Sequence, residues 1–197
     1  MTATGLVRER SVLESHARDA SGLRCVPDAV ARPTEAAGVN DVLRAAARDR
    51  TPVTAAGSQT STTGASICDC GILLSTRAMS RVLDVDETAR TARVEPGVLL
   101  GDLQRTLAPL GLFFAPDPTS DQECTIGGAI ACNASGPRTL RYGATRAHVR
   151  ALTVVMASGE TVEVSRPLIE KNTAGLLSVQ DPVDWFVGSE GTLGVIV

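Results

Sequence analysis

The 197-residue chain has a formal net charge of −3, with 21% charged and 43% hydrophobic residues. This balance excludes a disordered chain and a basic nucleic-acid-binding surface, and no apolar run is long enough to span a bilayer. Because only 3% of the residues are aromatic, the core should be aliphatic.

Residues 1–26 form a polar lead-in that we predict to be partly helical. Met1–Arg10 carries charge early and lacks the apolar core of a signal peptide, which predicts a cytoplasmic protein. A strand is predicted over Asp28–Arg32. Thr34 is the expected N-cap of a helix that ends before Thr51. The apolar stripe of this helix comprises Val39, Val42, Leu43, Ala46 and Ala47.

The remaining pattern alternates short strands with helices, which predicts an α+β fold with mixed β-sheets flanked by helices. Further strands are expected at Val53–Ala56, Ile72–Ser75, Val82–Val85, Ala89–Val94, Phe113–Ala115, Val149–Ala157 and Thr161–Val164. A helix is expected over Leu99–Leu107, and an apolar strand ends the chain. That strand looks unfinished, so we expect the sequence to be part of a longer protein.

The segment Gly57–Ser66 consists of small and polar residues and follows a predicted strand. Such a run can present successive backbone N–H groups to phosphate oxygens. The segment contains neither a GxxxxGK loop nor a GxGxxG turn. Taken alone, a flexible surface linker is an equally good interpretation.

A second stretch, from Asp117 to Gly143, is also rich in glycine and polar residues. The prolines of Pro116-Asp117-Pro118 fix a rigid turn. Gly127-Gly128 would let the start of a helix approach a ligand closely. Asn133 and Ser135 could hydrogen-bond a polar ring edge. A tight structural turn is the alternative interpretation.

Together these segments resemble the FAD-binding domain (PCMH-type) of the vanillyl-alcohol oxidase / para-cresol methylhydroxylase flavoprotein superfamily. The resemblance runs from about Asp19 to Val197 and is strongest to the branch of D-lactate dehydrogenase, the glycolate oxidase flavoprotein subunit and D-2-hydroxyglutarate dehydrogenase. Each segment alone is a weak signal, whereas their number, order and spacing are specific. The matching segments are Gly57–Ser66, Val94–Gly97, Gly111–Thr119, Thr125–Gly136, Leu140–Gly143 and Val187–Ile196.

The resemblance implies non-covalently bound FAD and a role for each matching residue. The pyrophosphate would be held by Gly57, Ser58, Gln59, Thr60, Ser61 and Gly64. The ribityl chain and isoalloxazine ring would lie along Pro116, Asp117, Thr119, Thr125, Gly127, Gly128, Ser135 and Gly136. Glu190, Gly191 and Ile196 would lie near the ribose and adenine, and Tyr142 and Gly143 would form a turn close to the flavin. Arg138 and Arg141 would place positive charge near the ring or form ordinary ion pairs.

The resemblance also implies a domain plan. Residues 27–197 would be the FAD-binding domain, divided into subdomains of about 27–78 and 79–197, and the substrate-binding cap domain would lie outside the sequence. The sequence departs from the family at Gln59, where a second Gly is usual, at Ala56, and at Lys171–Leu176, which lacks a frequent aromatic. His16 and His148 lie outside both loops, so no covalent link to FAD is expected.

The implied reaction is hydride transfer from C2 of a 2-hydroxy acid to flavin N5, with D-lactate, glycolate or D-2-hydroxyglutarate as candidate substrates. No catalytic acid or base is predicted within these residues. The electron acceptor, whether oxygen, a quinone, a cytochrome or an iron–sulfur partner, is not selected by the sequence.

Two alternatives belong to other functional classes. One is a non-catalytic FAD-binding or redox-sensing module that uses Cys68 and Cys70, the one pair of cysteines that could bind a metal or respond to oxidants. Because the five cysteines form neither a disulfide framework nor a zinc motif, reduced thiols and no metal are expected. The other alternative is an enzyme similar to UDP-N-acetylenolpyruvoylglucosamine reductase.

Overall fold

The computed structural model describes residues 5–166 and 181–197 as short strands and helices in alternation. The strands are β1 Ala29–Ala31, β2 Val53–Ala56, β3 Ile72–Ser75, β4 Val82–Asp86, β5 Thr91–Val94, β6 Ala151–Val155, β7 Thr161–Ser165 and β8 Val195–Ile196. The helices are α1 Arg10–Ser15, α2 Ala36–Asp49, α3 Leu100–Leu107, α4 Ile126–Ala131, α5 Thr139–Tyr142 and α6 Pro182–Phe186. Short 3-10 turns lie at Ala108–Leu110 and Thr145–His148.

The strands form three open sheets, which confirms the predicted α+β class. One sheet is parallel, in the order β1-β3-β2. The hairpin β4-β5 and the sheet β7-β6-β8 are antiparallel. The two kinds of pairing are therefore present but in separate sheets. Apart from Phe113–Ala115, each predicted internal strand is present with its ends within about two residues of the expected positions.

Helix α2 packs its apolar stripe onto the parallel sheet, because Val39, Val42, Leu43 and Ala46 are buried with β1 and β3 residues. Two details of its prediction were wrong. The N-cap is Glu35 rather than Thr34, because the extended backbone continues to that residue and Pro33 packs against Gly38 in the first turn. Ala47 is exposed, since it lies at the edge of the stripe. The helix ends at Arg50, before Thr51, as predicted.

Helix α3 begins one residue later than predicted, with Leu99 as its N-cap. The segment Phe113–Ala115 is not a strand, contrary to the prediction. The Gln104 side chain occupies both backbone groups of Phe114: its Nε2 donates to the carbonyl at 2.7 Å, and its Oε1 accepts from the N–H at 3.0 Å. No backbone group of Phe114 is left for a neighbouring strand.

Valines from the third sheet join the core beneath the parallel sheet. Val155 and Val195 are buried in the same cluster as Ile72 and Leu74 of β3. A second cluster surrounds α3, α4, α6 and β6. The division into two subdomains and the bounds of the whole domain stay predictions. The predicted departure at Lys171–Leu176 lies outside the described residues.

Candidate functional site

A cleft lies at the carboxyl edge of the parallel sheet. Loop 57–61 leaves the end of β2 there, and Thr76, which follows β3, lies beside it. The Thr76 N–H donates to the carbonyl of Ala56 at 2.9 Å, so both strand ends are fixed. In open sheets of parallel strands, ligands bind at this edge because the strand ends and the loops that follow them form a crevice.

Loop 57–61 carries backbone donors that have no partner in the protein. Within residues 5–166 and 181–197, the N–H groups of 57–61 donate to no protein acceptor. The hydroxyl oxygen of Ser58 is buried and has no hydrogen-bond partner in that part of the chain. Buried polar groups are nearly always paired, so this loop has unused capacity to bind an acceptor-rich ligand.

The second wall of the cleft is the start of helix α4. Thr125 is the N-cap, and its Oγ1 accepts from the N–H of Gly128 at 3.2 Å. This oxygen lies against Gly57, where an added Cβ would stand 2.2 Å from it. The two glycine-containing stretches, far apart in the sequence, are therefore in direct contact. The predicted groove requires this contact between the two stretches.

Gly127 and Gly128 have different surroundings. A Cβ on Gly127 would lie 2.6 Å from Cβ of Pro96, whereas one on Gly128 would meet, in the part of the chain that the structure describes, only Thr125 Oγ1, at 3.1 Å. The N–H of Gly127 donates to the carbonyl of Pro96 at 2.8 Å. Gly127 thus permits close packing on the Val94–Gly97 segment, while Gly128 leaves space open in the cleft.

The third wall is the segment that precedes β8. Glu190 has a left-handed backbone with φ 52°, and its N–H donates to the carbonyl of Ala131 at 2.9 Å. Its carboxylate accepts from Thr63 Oγ1 at 2.9 Å, which joins this wall to the first loop. A Cβ on Gly191 would lie 3.3 Å from Cβ of Ala55. These contacts connect the end of the chain to both earlier segments.

Of the predicted site residues, most lie together in this cleft. Its lining includes Gly57, Ser58, Gln59, Thr60, Ser61, Thr125, Gly127, Gly128, Glu190, Gly191 and Ile196. Its lining contains no Lys or Arg within the described residues, so an anionic ligand would be met by amides and hydroxyls. No cluster of three or more metal-ligating side chains occurs in that part of the chain.

Gly64 is not among the residues that line the cleft. It has a left-handed backbone, with φ 82°, and packs near Leu23 of the lead-in. Gln59 lines the cleft, also in a left-handed conformation with φ 57°, but its amide nitrogen points elsewhere. It donates to the carbonyls of His16 at 2.9 Å and of Ser66 at 3.1 Å.

The remaining predicted residues form a second group outside the cleft lining. Within this group Gly136 lies very close to Asp117, since an added Cβ would be 1.6 Å from the Asp117 carbonyl oxygen. Arg138 forms an ion pair with Asp117 at 3.1 Å, and its guanidinium lies over the ring of Phe113. The group comprises Pro116, Asp117, Thr119, Ser135, Gly136, Tyr142 and Gly143.

Asn133, a candidate from the second stretch, has a structural partner: its Oδ1 accepts from the N–H of Arg146 at 3.0 Å. His148, which lies outside that stretch, is also held within the protein, with Nε2 2.9 Å from the carbonyl oxygen of Tyr142. Arg141 lies over the ring of Tyr142.

The sequence interpretation missed several lining residues, among them Thr76 and Cys132. Thr76 could have been found, because it follows a buried strand parallel to the one that precedes Gly57. Cys132 carried no such signal. Partial desolvation at the cleft raises the pKa of its thiol, although the residue as a whole is exposed, and the Glu190 carboxylate acts in the same direction. Burial also raises the pKa of the Cys68 thiol, which disfavours the thiolate that a redox sensor needs.

A glycine-lined cleft with unpaired amides at the edge of a parallel sheet defines a site for a phosphate-containing ligand. Residues 27–165 match the family described as "FAD binding domain". The chain belongs to this family, so the predicted family and its cofactor, FAD, are confirmed. No helix in the described part of the chain is long and apolar enough to cross a membrane.

Curated relatives support the same branch. The chain is 38% identical to a glycolate oxidase subunit GlcD of Bacillus subtilis, over 87% of this chain and 36% of that protein. It is 33% identical to a D-lactate dehydrogenase of Anaerostipes hadrus, over 86% and 35% of the two chains. It is 35% identical to a D-2-hydroxyglutarate dehydrogenase of Xanthomonas citri, over 99% and 41%. The chain thus spans well under half the length of these relatives.

Among solved structures, alkyldihydroxyacetonephosphate synthase has the same fold. The TM-score is 0.81 with 22% identity, over all of this chain and 40% of that one. At this identity the similarity concerns the fold alone.

Proposed function

We propose that the cleft holds the pyrophosphate of FAD against loop 57–61. The observation that carries the proposal is the run of N–H groups in this loop that have no acceptor within residues 5–166 and 181–197, next to the Ser58 hydroxyl, which has no partner there either. The glycine positions fit the same ligand, since Gly57 lets the loop pack directly on Thr125 and Gly128 leaves room that a side chain would fill. In this proposal Thr60 adds a hydroxyl donor, Ser61 contributes its backbone N–H, and the amides of the loop compensate the phosphate charge.

The same proposal assigns the other segments. The ribose and adenine are assigned to the part of the cleft that is lined by Ala131 together with Glu190, Gly191 and Ile196. Thr125 and Gly128 are assigned to the ribityl side. The second group, around Asp117, Gly136 and Tyr142, is assigned to the isoalloxazine ring. There the Arg138–Asp117 ion pair would orient the turn.

We further propose that the whole protein oxidises a 2-hydroxy acid such as D-lactate, glycolate or D-2-hydroxyglutarate. Bound FAD would supply the hydride acceptor for the C2 hydrogen of the acid. The names of the relatives support this substrate class. Since those proteins are more than twice as long, we place the base and the substrate contacts in a further domain. The electron acceptor and the cytoplasmic location stay predictions.

The first test is a titration of the purified chain with FAD, followed by flavin fluorescence and by the absorbance of the protein after gel filtration. We expect saturable binding at one site per chain and recovery of free FAD after denaturation, as non-covalent binding requires. A chain that stays colourless after incubation with excess FAD would refute the cofactor assignment.

The second test uses the product of the natural gene. Under anaerobic conditions, D-lactate, glycolate or D-2-hydroxyglutarate should bleach the oxidised flavin absorbance. L-lactate, L-2-hydroxyglutarate and the corresponding 2-keto acids are the controls. Bleaching by none of the hydroxy acids in a flavin-loaded protein would refute the substrate class and leave the cofactor site intact.

A further inference from the structure

The polar lead-in before residue 27 contacts the loop that we assign to the pyrophosphate. This part of the chain precedes the residues that match the family. It is fixed to the fold by the bridge between Val7 and Val30 of β1 and by Ala17, which is fully buried. The carbonyl of Ala17 also accepts from the N–H of Cys25 at 2.9 Å. The lead-in is therefore a packed part of the molecule at the point where it meets loop 57–61.

Gln59 makes that contact. Its side-chain amide donates one hydrogen bond to the carbonyl of His16, 43 residues away, and one to the carbonyl of Ser66. These bonds tie the middle of the loop both to the lead-in and to the far end of the same loop. Both N–H groups of the amide are thereby used, so the side chain has no N–H left to donate to a phosphate.

Asp19 forms a second connection at the far end of the loop. Its Oδ2 accepts from the hydroxyl of Ser66 at 3.2 Å, and its Oδ1 accepts from the N–H of Ser21 at 3.0 Å. Leu23 packs against Gly64 in the same region. Three contacts from the lead-in thus reach the segment Gly57–Ser66, and the one at Gln59 lies within loop 57–61, which carries the unpaired amides.

From these contacts we infer that Gln59 and Asp19 are positioning residues, which use the lead-in to hold the loop amides in their ligand-binding arrangement. The inference rests on the proposed function, because it takes loop 57–61 as the pyrophosphate site. A loop that is already ordered loses less conformational entropy when it binds, so the anchors should raise affinity without touching the ligand. Gln59 at a left-handed position would then be retained for its amide, although Gly adopts that backbone more readily.

Gln59→Gly keeps the left-handed backbone accessible but removes the whole side chain, which itself loosens the loop, so it gives the largest expected effect on the loop. Gln59→Met is the partner variant, with similar length and no donor. Thr62→Ala is the matched control, since Thr62 is exposed in the same loop and its side chain makes no hydrogen bond within the described residues. For each, we would measure FAD affinity, the thermal midpoint of the apo chain and the NMR order parameters of residues 57–61.

We expect FAD to bind about tenfold more weakly to both Gln59 variants, because binding must then also order the released loop. The order parameters of 57–61 should fall toward the flexible range, below about 0.6, while the thermal midpoint changes little. Asp19→Asn should produce a smaller change of the same kind, and Thr62→Ala none.

Equal or tighter FAD binding by Gln59→Gly, with unchanged order parameters, would overturn the inference. It would mean that the side chain only tolerates its backbone position. If Gln59→Gly lowers the thermal midpoint strongly, the comparison of Gln59→Met with the wild type decides in its place. A wild-type chain that binds no FAD would refute the proposed function, whereas the order parameters would still test the anchoring.

Discussion

Loop 57–61 and the first turn of helix α4 form adjoining walls of one cleft, but their backbone amides are used differently. In the loop, the N–H groups have no protein acceptor within the described residues. In α4, Ile126 donates to Val98, Gly127 to Pro96 and Gly128 to Thr125. The helix start therefore serves as a packed wall, and the loop supplies the free donors.

This difference bears on the common expectation that a helix N-terminus binds the phosphate. Here the N–H groups of the first turn of α4 already donate to Val98, to Pro96 and to the cap residue Thr125. Its contribution to a ligand is space, through the absent side chain of Gly128. Neighbouring glycines in one motif thus have separable roles, and substitutions can distinguish them.

The largest expected effect is that of Gly128→Val on the affinity for FAD. The added carbons would extend into the cleft that Gly128 lines, because among the described residues only Thr125 Oγ1 lies within 4 Å of the position of a Cβ. We expect binding at least about 100-fold weaker, a loss of about 2.7 kcal/mol, with a nearly unchanged free energy of unfolding of the apo chain. Flavin titration and urea denaturation give the two quantities. Full flavin occupancy of the variant would show that this wall does not face the cofactor.

The second prediction concerns Gly127, for which we expect a larger change in stability than in FAD affinity. Gly127→Ala would place a Cβ 2.6 Å from Cβ of Pro96 and 3.0 Å from its carbonyl oxygen. We expect a loss of stability of about 1–3 kcal/mol, typical of overpacking, and a smaller change of FAD affinity in the folded fraction. Urea denaturation of Gly127→Ala beside Gly128→Ala measures the contrast. Equal stability of the two variants would mean that the contact with Pro96 relaxes without cost.

The sequence predicted the fold well because its signals are local. The stripe Val39, Val42, Leu43 and Ala46, and the apolar strands between turns, depend on helical and strand periodicity alone. The prediction for Phe113–Ala115 was wrong because a side chain, Gln104, pairs with its backbone. No periodicity in the sequence reveals such a contact.

The site was predictable in part. Glycine-rich segments and their order indicated which residues meet, and Gly57 does touch Thr125. Which glycine packs and which one leaves space depends on the position of Pro96, and the direction of the Gln59 amide depends on the lead-in. Both are tertiary contacts between distant residues, and composition and spacing do not specify them.

The smallest expected effect concerns the stability of the third wall of the cleft, and it is tested by lowering the pH. Arg146 donates to the carbonyls of Asp184 and Val187, just before the Gly188–Gly191 turn, and its guanidinium lies 3.3 Å from the Asp184 carboxylate. The hydrogen bond from Arg166 lowers the pKa of Asp184, although burial acts in the opposite direction. Because the folded-state pKa lies below the unfolded value of about 3.9, the stabilisation is complete above that pH and is lost as the pH falls through the folded pKa.

We therefore expect Asp184→Asn to lower the free energy of unfolding by about 1 kcal/mol at pH 7, a modest value because the pair is partly exposed. The difference from the wild type should shrink as the pH falls below about 4, since the wild-type carboxylate is then protonated too. Asp102→Asn, which breaks an exposed pair with Arg105, is the control and should change little at any pH. Denaturation curves from pH 7 to 3 provide the measurement. A difference that stays constant over this range would mean that Asp184 acts through packing rather than charge. The third wall, like the start of α4, would then be held by contacts that do not depend on pH.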